Sequence, residues 1–331
     1  MYSHNVSKDK YILFTHFKSE CNKYFNNLYG VAMLQRMVSI VLLCGIVLIS
    51  GCSNSDTTAP DTKSFKGFIY YSHAGEMYRL NLSTITSAKL FTNARHPDMF
   101  ANGDMLAVEQ YPIVRLMRSD MTGANRNTIL SGTDYTGPKY RQYMNRPRVS
   151  YNQQYIVYEG DNVYNPNSYV INSSDGSLVA TIGDYNQSQP MISPSWSPDG
   201  SIVVAGWTSM NNGIYKVTPD FSSMKRVGPD FPNVSDPSVS PDGNFIAFIR
   251  DGQLWTMGID GSNPTQLYVS GRYFRMPVWS PDSKYIAALN SVELTGKITI
   301  FEPQTKRITD LTTTSGNHYY IGDNEQLSWQ Y

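Results

Sequence analysis

Cysteine is almost missing from this sequence of 331 residues. Cys21, Cys44 and Cys52 all precede residue 53, so the remainder can form neither an internal disulfide nor a thiolate metal site. An excess of either charge is missing as well, since Lys plus Arg and Asp plus Glu both number 27. Beyond residue 52 there are 22 basic and 25 acidic residues, a net of −3, which is no electrostatic footprint for DNA or RNA. Histidine is scarce in the same stretch: His73, His96 and His318 are scattered, whereas a metal site needs several convergent ligands at short spacing. No metal and no cofactor are therefore expected. There is no Gly-x-Ser-x-Gly elbow, no His-Glu-x-x-His pair and no phosphate-cradling glycine loop, so no catalytic residue is assigned. Nor does any apolar run reach the roughly 20 residues of a membrane-spanning helix.

The longest such run is Val38–Ile49, preceded by Arg36. Its length suits the h-region of a signal peptide. It ends in Ile49-Ser50-Gly51-Cys52, which resembles the bacterial lipobox. The resemblance implies cleavage before Cys52, diacylglycerol on its sulfur and acylation of the new amine. Several acyl chains on one residue anchor stably where a single chain is marginal. Ser53 follows the cysteine, which by analogy with Gram-negative sorting points to the outer membrane, facing the periplasm. Ser53–Ser64 is polar, Pro-containing and aperiodic, as a tether would be. The expected organisation is a signal peptide over 1–51 (with Met33 or Met37 as alternative starts), a lipidated Cys52 and tether over 52–64, and a folded body over 65–331.

What the full sequence has in abundance is Tyr (24), Gly (24) and Pro (18), a turn-rich all-β composition. Asp236–Leu267 shows how it is used. A first strand over Ser238–Ser240 leads into the turn Ser240-Pro241-Asp242-Gly243, with Pro presetting φ and Gly supplying the left-handed position. A β-rich run, Asn244–Arg250, is followed by the hairpin signal Asp251-Gly252. Gln253–Gly258 reads as a third strand, and Pro264–Tyr268, after another Asp-Gly turn, as a fourth. A four-stranded sheet of this size cannot bury both faces alone and needs neighbours of its own kind. Diverged copies open around Pro97, Pro147, Pro194 and Pro277, which with Pro237 gives steps of 50, 47, 43 and 40 residues. Four strands repeating at that period are the signature of propeller blades.

Ser-Pro-Asp-Gly after Pro-x-Trp, then a strand, then Leu/Ile-Trp/Tyr and a further Asp-Gly, resembles the TolB-type (WD-like) β-propeller repeat. The likeness covers about Phe65–Tyr331 and is closest in the copies opening at Ser193, Asp236 and Met276. In the copy at Arg146 the turn reads Tyr-Asn-Gln-Gln, so a longer turn is expected there. Phe65–Asn93 holds only strands two to four of a blade, and Gln326–Tyr331 matches the pattern of the missing first strand, with Trp329 in register with Trp196 and Trp279. The fold class predicted is all-β: a six-bladed propeller of four antiparallel strands per blade, sealed by the C-terminal strand joining the N-terminal blade.

The repeated Asp199, Asp242 and Asp282 look like a carboxylate set, but turn chemistry explains them, and the repeated tryptophans fit packing between blades. The candidate recognition surface lies on the long, aromatic connections between blades, which surround the channel mouth together with the loops joining strands two and three. Its candidate binding residues are Arg95, His96, Tyr140, Tyr143, Arg146, Tyr185, Tyr273, Arg275, His318 and Tyr320. The composition suits a non-catalytic interaction platform in the cell envelope, binding an envelope protein or peptide or a glycan, held to the membrane by its lipid. The alternative is a carbohydrate-active enzyme on an anionic glycan, similar to the oligogalacturonate lyases, with His96 as base and Arg146 and Arg275 as carboxylate clamps. A scaffold with a filled channel is a third reading.

Overall fold

A computed structural model describes residues 65–133, 137–160, 167–183, 190–206, 212–267, 271–292, 295–312, 321 and 325–331. The expected signal segment, Cys52 and tether lie outside the described residues. Among the described residues, no helix is long and apolar enough to cross a membrane.

The strands fall into six antiparallel four-stranded sheets. Blade 1 contains β1 (Phe68–His73), β2 (Glu76–Asn81) and β3 (Thr86–Thr92). Blade 2 is β4 (Arg95–Met99), β5 (Met105–Glu109), β6 (Arg115–Ser119) and β7 (Asn127–Ser131). Blade 3 is β8 (Asn145–Val149), β9 (Tyr155–Gly160), β10 (Asn167–Asn172) and β11 (Leu178–Ile182). Blade 4 is β12 (Met191–Trp196), β13 (Ile202–Gly206), β14 (Gly213–Val217) and β15 (Met224–Val227). Blade 5 is β16 (Val234–Val239), β17 (Phe245–Arg250), β18 (Gln253–Gly258) and β19 (Thr265–Gln266). Blade 6 is β20 (Phe274–Trp279), β21 (Ile286–Val292), β22 (Thr295–Glu302) and β23 (Arg307–Asp310). The final strand, β24 (Ser328–Gln330), returns to blade 1 and pairs with β1 through Phe68↔Gln330, Ile69↔Trp329 and Tyr70↔Ser328. The ring is therefore closed as the sequence predicted, with one sheet built from both ends of the chain.

The core is divided among the seams between blades. Ile69, Leu80 and Trp329 pack against Leu289, Ile298 and Ile300 across the seam between blades 6 and 1. Ala247, Ile249 and Leu254 meet Trp279, Ile286 and Phe301 across the next seam back. The second strand of a blade is covered on both faces, which is why β5, β13 and most of β17 are continuous buried runs rather than alternating ones. The outermost strands are largely exposed, as in β3, β11 and β15. Each of the three repeat-register tryptophans ties its blade to a neighbouring segment. Trp196 Nε1 donates to Arg148 O and Trp279 Nε1 to Ser238 O, both at 3.0 Å, and Trp329 Nε1 reaches Lys66 O at 3.0 Å. An aromatic side chain stacks on each: Tyr155, Phe245 and Tyr285 respectively.

Three expectations are corrected in detail. The first strand of blade 5 begins at Val234, well before Ser238, because a bulge between Ser235 and Ser238 absorbs Pro237 and lets pairing continue upstream of it. The fourth strand of that blade is shorter than Pro264–Tyr268, only Thr265–Gln266. The blade 3 turn is no longer than its counterparts: Ser150 N donates to Tyr155 O at 2.9 Å, just as Ser240 N donates to Phe245 O at 2.9 Å. Gln153 takes the left-handed position of the missing glycine at φ 65°, and Asn152 replaces aspartate by accepting from Gln154 N at 3.0 Å. The repeated aspartates do hold their turns; Asp242 Oδ1 accepts from Asn244 N at 3.0 Å.

A charged cluster ties blades 1 and 2. Buried Glu109 accepts from Arg126 Nη1 at 2.7 Å, from Asn93 Nδ2 at 3.1 Å and from Arg115, while Arg126 Nη2 continues to Thr92 O at 2.9 Å. Burial opposes ionisation, but the two guanidinium groups outweigh it and hold the Glu109 carboxyl below its ordinary range. A lowered folded value means stability that is present above the unfolded pKa and lost as pH falls through the folded one. Glu109→Gln should thus cost on the order of 3 kcal/mol at neutral pH. The gap to wild type in urea melts should close below about pH 4; a gap that stayed constant down to pH 3 would contradict the pairing. Ending the chain after Gly322 removes β24 and should abolish the cooperative thermal transition, and Trp329→Ala alone should cost about 3–5 kcal/mol.

Candidate binding site in the central channel

The innermost strands β4, β8, β12, β16 and β20 share one backbone irregularity. In each, the residue just before the repeat proline lies at positive φ: His96 at 55°, Arg146 at 50°, Ser193 at 53°, Asp236 at 51° and Met276 at 51°. In each, the pairing register with the second strand shifts at that point. Left-handed backbone at residues with a Cβ costs roughly 1–2 kcal/mol apiece. What the strain achieves is convergence. Arg146, Ser193, Asp236 and Met276, with Gln326 from the corresponding place before β24, line a cavity of about 20 Å³ where blades 3, 4, 5, 6 and 1 meet.

The polar members of this ring are bonded to one another across blades. Arg146 Nη1 donates to Ser193 Oγ at 2.6 Å, to Asp236 Oδ1 at 3.1 Å and to Glu159 Oε1 at 3.2 Å. Ser193 Oγ donates to Asp236 Oδ1 at 3.0 Å, and Ser193 N to Glu159 Oε1 at 2.7 Å. Asn145 Nδ2 reaches the other Glu159 oxygen at 3.1 Å. On the opposite side, Arg95 Nε donates to Glu325 Oε1 at 2.8 Å, Ser72 Oγ donates to Glu325 Oε2, and His96 N donates to Ser72 Oγ at 3.3 Å. Gln326 Nε2 spans two blades by donating to Pro97 O at 2.8 Å and Pro147 O at 3.0 Å. Burial, together with the charges of Arg95, Arg146 and Arg148, holds the His96 imidazole well below its ordinary pKa, so it stays neutral.

Four of the predicted site residues, Arg95, His96, Tyr143 and Arg146, are brought together here. Burial first, then the Glu159 charge, pushes the Tyr143 phenol up, while Arg146 and Arg95 pull it down. Tyr140 instead turns into the apolar seam between blades 2 and 3, its ring centroid 6.2 Å from that of Tyr169. Tyr273 and Arg275 are solvent-exposed at the start of blade 6. Tyr185, His318 and Tyr320 lie outside the described residues. Sequence reasoning missed Ser193, Asp236, Glu159, Glu325 and Gln326. For Ser193, Asp236 and Gln326 the signal was available: each occupies the place before the first-strand core that His96 and Arg146 occupy. Glu159 and Glu325 have no periodic mark. Among the described residues, no group of three or more His, Cys, Asp or Glu side chains is arranged to hold a metal ion.

A closed ring of six sheets around a charged axis defines a six-bladed propeller, an architecture that hosts many unrelated functions. The sequence matches the TolB beta propeller domain family over residues 102–321, and the chain belongs to that family. Among solved structures, a TolB from Agrobacterium tumefaciens is 17% identical with a TM-score of 0.58, covering 80% of this chain and 99% of that one. TolB from Acinetobacter baumannii is 19% identical with a TM-score of 0.52, covering 75% of this chain and 68% of that one. An oligogalacturonate lyase from Vibrio parahaemolyticus is 12% identical with a TM-score of 0.51, covering 76% of this chain and 74% of that one. At these identities the likeness is one of fold.

Because Arg146 is the sole cation bonded to both Glu159 and Asp236 among the described residues, Arg146→Ala should leave two buried carboxylates unpaired and cost about 3–5 kcal/mol. Chemical denaturation of the variant reads this directly; a loss under 1 kcal/mol would show that the network is not holding the blades.

Proposed function

We propose that this protein is a non-catalytic binding platform of the cell envelope, anchored by lipid on Cys52, that captures a protein or peptide on the face formed by the between-blade connections. The observation that carries this reading is a hollow of about 500 Å³ on that face, between blades 1 and 2, lined among others by Arg95, Glu76, Tyr111 and Glu325. Tyr111 on its wall is 74% exposed, Ile113 beside it is 58% exposed, and Tyr273, on the same face at blade 6, is 63% exposed. Exposed aromatic side chains together with arginine are the composition of interaction hot spots. The opposite face carries the tight turns between first and second strands, Ser-Pro-Asp-Gly in blades 4 and 5.

The channel network favours binding over chemistry. Arg146, which a lyase would need as a substrate clamp, is bonded to internal carboxylates, and His96 is buried. Structures of oligogalacturonate lyases share the fold, so the distinction needs a direct measurement. The purified protein should contain no stoichiometric divalent metal; a full equivalent retained through gel filtration would favour the enzyme.

Tyr111→Ala combined with Ile113→Ser should leave stability within about 0.5 kcal/mol, since both side chains are exposed. The same change should remove the partner recovered by crosslinking from membranes. A partner retained by this double variant would place recognition elsewhere. Cys52→Ser should move the protein from the membrane to the soluble fraction.

A further inference from the structure

The channel opens differently at its other end. On the turn face a cavity of about 390 Å³ is lined by residues from all six blades, and it lies within the roughly 300–1,000 Å³ of small-molecule sites. Its floor is the pair Asp98 and Arg148, 3.7 Å apart. Arg148 Nη1 donates to Leu327 O at 3.0 Å, and among the described residues its Nε and Nη2 make no hydrogen bond. Asp98 accepts from Val149 N at 2.8 Å on one oxygen and from Ser328 Oγ at 3.1 Å on the other, the oxygen that also faces Arg148 Nη1. The walls carry the Tyr151 and Ser238 hydroxyls, neither of which has a hydrogen-bond partner among the described residues. Tyr151 is 48% exposed, and Trp196, Trp279 and Trp329 also line the cavity, so flat aromatic rings are part of its wall. Burial, with the Asp98 charge adding, pushes the Tyr151 phenol up to about 12, so it remains a proton donor at ordinary pH.

The floor decides the class of ligand. Its two charges cancel, and Asp98 would repel an anion as Arg148 would repel a cation. Fixed donors on Arg148, acceptors on Asp98 and hydroxyls that can serve as either match a ligand that is itself neutral and presents many hydroxyl groups. Aromatic walls suit the apolar faces of such a ligand. We propose that the turn-face mouth of the channel is a binding site for a neutral saccharide, separate from the face that captures the protein partner.

The test uses the full chain with galactose, glucose, mannose and N-acetylglucosamine and their disaccharides, read by saturation-transfer NMR and titration. Galacturonate serves as the charged counterpart of galactose. At least one neutral sugar should bind. Tyr151→Ala should weaken it by about tenfold or more, and Val278→Phe, which fills the mouth, should abolish it. Tyr111→Ala on the opposite face should leave it unchanged, so this site stands or falls independently of partner capture. Melting curves establish that the variants are folded. The proposal is overturned if no neutral sugar binds, if binding survives both mouth variants, or if galacturonate binds more tightly than galactose.

Discussion

Every part of this molecule depends on contact between adjacent blades. A four-stranded sheet with its second strand apolar on both faces, as in β13, has no stable existence alone. Its hydrophobic surface is covered only by the blades on either side, so the core consists of radial seams rather than one central mass. This makes closure a thermodynamic necessity: an open ring would leave two blade faces wet. The strand at the very end of the chain meets that need, seating Trp329 against Leu327 and the residues of blade 6. The indoles of Trp196 and Trp279 make their seams directional, since each donates its N–H to a carbonyl of the preceding blade.

The same geometry creates a problem at the axis, where six innermost strands converge and their inner faces meet no further layer. The solution is polar. A left-handed residue before each repeat proline turns a side chain toward the axis, and complementary charges on different blades bond there. Buried ion pairs of this kind add little net stability over apolar packing, but they penalise misregister because a shifted blade would leave a charge alone. The network thereby fixes the relative placement of the blades. It also divides the channel into two mouths of different chemistry: on the between-blade side, an exposed aromatic hollow beside the Arg95–Glu325 pair; on the turn side, a charge-balanced cup rich in hydroxyls. A propeller that presents two unlike surfaces can bind two unlike ligands at once.

Blade number, strand order and closure were legible in the sequence because they rest on local, repeated signals. Ser-Pro-Asp-Gly specifies its own turn through proline φ, the aspartate side chain and a left-handed glycine, wherever it occurs in the chain. Even the divergent Tyr-Asn-Gln-Gln turn kept that geometry with other residues in the roles, which pattern matching misread as a length change. The first strand of blade 5 was mislocated for a physical reason: proline looks like a strand boundary, and only the bulge around Pro237 reveals that the pairing continues upstream.

The site was legible only in part. Arg95, His96 and Arg146 stood out as basic residues beside aromatic connections, but their carboxylate partners Glu159, Asp236 and Glu325 come from other strands and other blades. Local sequence alone determined the repeating unit, its turns, its count and the way the ends meet. The tertiary structure decided which side chains share the axis and how their charges cancel. Those contacts join residues dozens to hundreds of positions apart, and their energies depend on distance and burial that no single repeat encodes.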